Sequence, residues 1–313
     1  MSSLVKVDEL EAVVIIDNEV DCMSWIAPDT VDVSGRFPDL CLNNAVNQKV
    51  GGQNVKVIPM EAMSCGAHGL SVLVTATKDG VKHSVLFDTG PEEEAWERNA
   101  VEMISEAKKA SNSSSSAVIV DLHSDRPEFR GFMVAHPVAM PADPTFDEIR
   151  AVGGAVFKSS GPHTVLDDKF LISGNIPWSA AYETGLQNGI RISDLAKGWE
   201  KDEEMADERF LMCNLKGKGI VMFTGCSHRG VVNASRSAVE QLSSEVPLHA
   251  VLGGYHLVAS SQAQVEETVK DLKTPDPKVL LPGHCSGWRV KYEIEKQMPG
   301  RLVPCTAGSK IKF

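Results

Sequence analysis

Short apolar runs alternate with polar turns along this chain, and their order predicts a mixed α/β protein with two strand-rich halves. In the first half, Ala12-Val13-Val14-Ile15-Ile16-Asp17, Val55-Lys56-Val57-Ile58-Pro59 and Leu70-Ser71-Val72-Leu73-Val74-Thr75 read as strands, because β-branched residues fit a pleated, half-buried surface. Lys78-Asp79-Gly80 predicts a hairpin turn, since Asp-Gly tolerates the positive φ values of a two-residue loop. His83 to Asp88 supplies the returning strand. Thr89-Gly90-Pro91-Glu92-Glu93-Glu94 then signals a helix start, with a capping residue, an early proline and acidic groups facing the positive helix end. That helix is expected to run to about Ala110, where Ser111 to Ser116 forms a polar link.

The second half repeats the idiom. Phe210 to Leu215 and Gly219 to Phe223 flank Lys216-Gly217-Lys218, a second hairpin. Val232 to Leu242 reads as a helix, Leu248 to Leu252 as a strand and Ser261 to Leu272 as another helix. Between the halves, residues 138–208 show little periodicity and many prolines, glycines and charges, so insertion loops near a substrate site are expected, with a short helix within Pro141 to Arg150. Two similar halves with helices after their strands suit an αββα sandwich, a single domain over residues 1–313. Each sheet would bury one face on its twin and the other under helices. The periodicity alone equally permits a generic α+β domain.

Size and charge narrow the partners. A chain of 313 residues can bury a substantial core without staples. A net charge of -11 argues against nucleic acid or an anionic membrane surface as partner, and no apolar run approaches the ~20 residues that span a bilayer. Without a secretory-type apolar core at the N-terminus, a cytoplasmic location is the default. A small-molecule substrate is expected; oligomeric state is open, and a homodimer is compatible. The seven cysteines are odd in number, widely spaced and lack a Cys-x-x-Cys pair, which disfavours a disulfide scaffold or structural zinc-thiolate site. Cys226 and Cys285 flank candidate histidines and read as small hydrophobes beneath the site, with a ligating or regulatory thiol as the alternative.

The chemistry-bearing residues cluster after apolar runs. Ala117-Val118-Ile119-Val120 reads as a buried strand leading into Asp121-Leu122-His123-Ser124-Asp125-Arg126. In extended chain, residues two apart point the same way, so Asp121, His123 and Asp125 could converge. His228 follows the run Ile220 to Gly225, and His284 follows Val279 to Gly283. Oxygen and imidazole donors from three strand-end loops describe an open catalytic metal site. His256, after Gly253-Gly254-Tyr255, is either a proton donor or oxyanion stabiliser, or a packed loop residue. His68 is expected to be structural; Asp88 and Asp17 suit orienting or capping roles.

Five segments together resemble the metallo-β-lactamase superfamily, and within it the dihydropterin ribofuranosylaminobenzene phosphate synthase branch. They are His68-Gly69-Leu70-Ser71, Leu86-Phe87-Asp88-Thr89-Gly90, Thr224-Gly225-Cys226-Ser227-His228, Gly253-Gly254-Tyr255-His256-Leu257 and Pro282-Gly283-His284-Cys285-Ser286-Gly287. The signature His-x-His-x-Asp-His departs here: Asp121 stands at its first histidine and Arg126 at its last. The resemblance implies that Asp121, His123 and His228 hold one metal, while Asp125 and His284 would hold a second that Arg126, always protonated, disfavours. One ion is therefore expected, zinc first, with manganese or iron as alternatives.

The segment Asp121 to Pro127, followed by Arg130-Gly131, also resembles fungal lactamase-like members that open benzoxazolinone-type lactams. The open metal site and this second resemblance imply a metal-dependent hydrolase acting on a small cyclic amide or ester. Asp125 would orient water or accept its proton, and Arg126 would pair with Asp121 or Asp125 or bind an anionic product. Two competing readings are a synthase acting on a phosphorylated substrate and a metal-free binding module.

Overall fold

The computed structural model describes residues 4–28, 30–36, 39, 45–57, 63–100 and 118–313. Its central layer is a sheet whose strands Phe210–Leu215, Gly219–Thr224, Leu248–Gly253 and Val279–Pro282 are buried along their whole length. Continuous apolar strands of this kind need cover on both faces. One face, with Leu211, Val221, Phe223, Leu252 and Leu281, packs on Leu10, Val14, Val72 and Val74 of a second sheet. The other, with Met212, Met222, Val251 and Leu280, lies under the helices Val231–Leu242, Gln262–Leu272 and Trp288–Gln297.

The second sheet has five strands in the order Asp32–Ser34, Lys310–Lys312, Glu9–Ile16, Ser71–Lys78, Val81–Phe87. Its outer face carries helical residues 93–100, where Ala95 and Ala100 pack on Ile15 and Ile16. Four layers result: an αββα sandwich. Both hairpins fall where the sequence places them, with Asp79 and Gly80 at φ 50° and 79° and Gly217 at 77°. The expected extension of the first helix to Ala110, the serine link 111–116, Ala117 and residues 58–59 lie outside the described residues.

Two features differ from expectation. Residues 138–208, mostly irregular as expected and with the short helix Phe146–Ala151, are not without regular strands. They contain short strands, of which His163–Val165 and Phe170–Ile172 extend the central sheet. Strands of three residues carry no readable period. The strand Ile119–Leu122 is not buried: Val118 and Ile119 are 74% and 70% exposed. It pairs in parallel with Ala155–Lys158 in a separate two-stranded sheet, so neither main sheet covers it.

Candidate metal centre

Three parallel strands set the site. Thr224 pairs with Gly253, and Gly253 with Pro282, so the loops after them begin level at the carboxyl edge of the sheet. Gly254 donates to the carbonyl of Gly225 at 2.8 Å and Gly283 to that of Gly253 at 2.8 Å, tying the loops together. This close approach requires glycine. A Cβ on Gly253 would lie 1.9 Å from the Thr224 carbonyl oxygen. Four non-glycine residues here hold left-handed backbone: Asp88, Ser227, His256 and Cys285, at φ 62°, 58°, 48° and 53°. Such conformations persist only where the surroundings enforce them, and they concentrate at functional sites.

Cys226, His284 and Cys285 each offer a donor atom within 4.8 Å of the other two. Cys226 Sγ lies 2.9 Å from His284 Nε2. Cys285 beside it and burial together push the Cys226 thiol up to about 12. His228 lies beside Cys226 as well. Its Nδ1 faces Glu208 Oε1 at 2.9 Å, and Glu208 also accepts from the backbone amides of His228 and Arg229 at 2.8 and 2.7 Å. The carboxylate fixes Nδ1 as the donor, which leaves Nε2 as the nitrogen available to ligate. Burial works against a charged His228 imidazole, but Glu208 outweighs it and raises the pKa to about 10, so a metal taken up at Nε2 would displace that nitrogen's proton.

His256 packs against His228 with ring centroids 4.5 Å apart and the planes tilted by 58°. Burial, reinforced by the neighbouring His228, pushes its pKa down to about 4, so the ring is neutral at physiological pH. His68 meets the His284 ring edge-to-face at 5.9 Å. Beneath them Asp17, fully buried, accepts from the His284 amide at 3.0 Å, and burial raises its pKa to about 6. Asp88 caps its own turn, accepting from the amides of Thr89 and Gly90 at 2.7 and 3.2 Å. It keeps solvent access, yet the protein crowded around it raises its pKa.

The side chains of the signature loop take other partners. Its strand ends at Leu122 and the chain turns, with the Arg126 amide donating to the His123 carbonyl at 3.3 Å, so the alternation that would align Asp121, His123 and Asp125 stops. Asp121 Oδ1 accepts from Arg209 Nη1 at 2.9 Å, and Oδ2 contacts His163 Nε2 at 2.7 Å. Both oxygens are thereby committed. Asp125 pairs with Arg191 at 3.0 Å. Arg126 neither pairs with Asp121 nor with Asp125. It donates to the Pro144 carbonyl and lies over the Phe146 ring, 5.1 Å from its centroid. His123 is buried, its Nδ1 accepting from the Asp125 amide at 3.1 Å. Among the described residues, Asp121, His123 and His228 do not form a three-donor group of the kind Cys226, His284 and Cys285 form.

Sequence reasoning thus brings His228, His256 and His284 to one edge and misses Glu208, Arg209, His163 and Arg191. Glu208 stands 20 residues from His228, and Arg209 stands 88 from Asp121, with no local spacing to mark either pairing.

The donor set fits a divalent metal. Thiolate and imidazole are zinc's preferred ligands. The ring nitrogen His256 Nδ1, beside His228, is buried with no hydrogen-bond partner among the described residues, a costly arrangement that a bound substrate or ion would relieve.

Comparison with known proteins agrees on architecture. No family model matches the sequence. The fold matches that of Tm1679, a metal-dependent hydrolase of the β-lactamase superfamily, with a TM-score of 0.62 over 96% of this chain and 98% of that one, at 18% identity. In sequence, the chain is 24% identical over 272 residues to the 7,8-dihydropterin-6-methyl-4-(β-D-ribofuranosyl)-aminobenzene-5′-phosphate synthase of Methanocaldococcus jannaschii, covering 79% of this chain and 90% of the synthase. It is 31% identical over 135 residues to the uncharacterized protein MJ0448 of the same organism, covering 42% and 45% of the two chains. The protein therefore has a metallo-β-lactamase-type fold and a distant sequence relationship to the synthase. No helix among the described residues is long and apolar enough to cross a membrane.

Proposed function

We propose that this chain is a metal-dependent hydrolase opening a small cyclic amide or ester, with a benzoxazolinone-like lactam as its favoured substrate class. The observation that carries the reading is the convergence of Cys226, His284 and Cys285 at level strand ends, next to a histidine whose tautomer Glu208 fixes. Three of these four donors would hold one ion and leave a position open for water, zinc by donor type, thiolates being poorer partners for manganese. When bound, zinc supplies an ionisable water near neutral pH and a charge that polarises a carbonyl.

The chain's own groups do the rest. Neutral His256 donates its N–H to the oxygen that becomes negative as the carbonyl is attacked. Asp17 and Glu208 hold the backbones of His284 and His228 in place. In this reading Asp121 is the charge partner of Arg209 and His163, while Asp125 and Arg126 fix the loop 121–126 against Arg191 and Pro144.

The test is elemental analysis of chain purified without chelator, followed by assay of that preparation on lactams, lactones and phosphorylated pterins. Ring opening that disappears on metal removal supports the hydrolase. A full metal complement with no turnover of any lactam or lactone sinks it. The similarity covering 90% of the synthase favours a second reading, action on a phosphorylated pterin-type substrate, which turnover in that arm alone would establish. A chain that takes up no metal would be a binding module.

A further inference from the structure

Cys226 and Cys285 follow strands that are not neighbours: Gly219–Thr224 and Val279–Pro282 lie on either side of Leu248–Gly253. Their sulfurs nevertheless meet, because Gly254 at the end of the middle strand has no side chain. A Cβ there would sit 2.6 Å from Cys285 Sγ and 2.9 Å from the Gly225 carbonyl oxygen. Cys285 Sγ donates to the Cys226 carbonyl at 3.4 Å, and the two sulfurs lie within 4.8 Å of each other. Both residues keep partial solvent access, unlike Cys213 and Cys305, which are buried. The left-handed backbone of Cys285, φ 53°, turns that residue back toward the Gly225–Cys226 loop.

We propose that Cys226 and Cys285 form a reversible disulfide across Gly254 when the chain meets a peroxide, and that zinc at the same donors blocks it. The sulfurs would close from no more than 4.8 Å to the roughly 2.05 Å of an S–S bond. First, the peroxide O–O bond breaks, one sulfur gains an oxygen to become a sulfenic acid, and water leaves. The second sulfur then attacks the first: the S–S bond forms, the S–O bond breaks, and a second water departs with the remaining thiol proton. Two thiols lose two electrons in all, and one peroxide is reduced to two waters. The linkage itself rests only on the geometry of the sulfurs; the blocking by zinc rests on the metal site of the proposed function.

The experiment treats the full chain with hydrogen peroxide, once after chelator and once loaded with zinc. Free thiols are then alkylated, the chain is digested without reductant, and peptides are read by mass. In the metal-free chain the Cys226 and Cys285 peptides should appear joined, two hydrogens lighter than their sum, while Cys22 and Cys65 remain singly alkylated. A thiol reductant should restore both. Zinc should keep them apart. Free Cys226 and Cys285 after peroxide, or Cys226 linked to another cysteine in Cys285→Ser, overturns the proposal. Linkage that forms equally fast with zinc leaves the disulfide standing and removes the metal site instead.

Discussion

Replacing Glu208 with glutamine keeps the shape of the side chain while removing its charge and one acceptor. Oε1 takes two donors from His228, at 2.8 and 2.9 Å, and Oε2 takes the Arg229 amide at 2.7 Å. A glutamine amide nitrogen must stand at one of these positions, so at least one nearly buried donor loses its partner. The cost is about 1–3 kcal/mol of stability. The variant also no longer forces Nδ1 of His228 to be the protonated nitrogen, and the ring loses its anchoring charge. Removing such a carboxylate behind a ligating histidine lowers metal affinity roughly 10- to 100-fold, or about 1.4–2.7 kcal/mol. Urea unfolding with and without zinc measures the first quantity, and competition against a chromophoric chelator measures the second. A folded Glu208→Gln chain with lost stability but unchanged zinc affinity would refute a metal role for His228 and the purpose assigned to Glu208.

Three further predictions concern charge. Burial, with Lys218 and Lys278 nearby, pushes His249 down to about 4. The unfolded chain, titrating near the ordinary 6.5, takes up the proton first as pH falls. The stability contribution is therefore present above about pH 6.5 and lost toward pH 4, about 3 kcal/mol in all. His249→Phe should flatten that acid slope in urea midpoints measured from pH 7 to 4; an unchanged slope refutes it. Glu183 runs the other way. Burial pushes it up to about 7, so the stability it contributes is full below about pH 4.5 and lost as pH rises through 7, again by about 3 kcal/mol. Glu183→Gln should remove that decline, even though it weakens one of the two amide bonds Glu183 makes at the start of Val231–Leu242. Asp121→Asn leaves Arg209, 12% exposed at its side chain, without its carboxylate. A loss of roughly 2–3 kcal/mol is expected, a little under that for breaking a fully buried pair, with metal content unchanged. Loss of the metal would restore Asp121 as a ligand.

Much of the architecture is encoded locally and some of it is not. Asp79-Gly80 and Lys216-Gly217-Lys218 announce their hairpins because turn chemistry is a property of two or three adjacent residues. His228, His256 and His284 converge because each follows an apolar run, and parallel pairing brings the ends of those runs level. The fate of Asp121 is not readable in the same way. Its two partners lie 88 and 42 residues away, and the extended geometry assumed for positions 121–125 ends with the strand at Leu122. The cysteines look like packing residues in sequence because their meeting depends on a bare Gly254 on the strand between them. The helix Trp288–Gln297 buries only Val290, Glu293 and Ile294, too thin an apolar stripe to stand out.

Cobalt loading reports most directly on where a metal sits, because thiolate ligation gives a sulfur-to-cobalt charge-transfer band that oxygen and imidazole ligands do not. One equivalent of cobalt should bind with that band present, weakened in Cys226→Ser and in Cys285→Ser and intact in Asp121→Asn. Cobalt that binds without the band, or that is lost on replacing Asp121 while both cysteine variants retain it, would place the ion elsewhere and contradict the Cys226–His284–Cys285 centre.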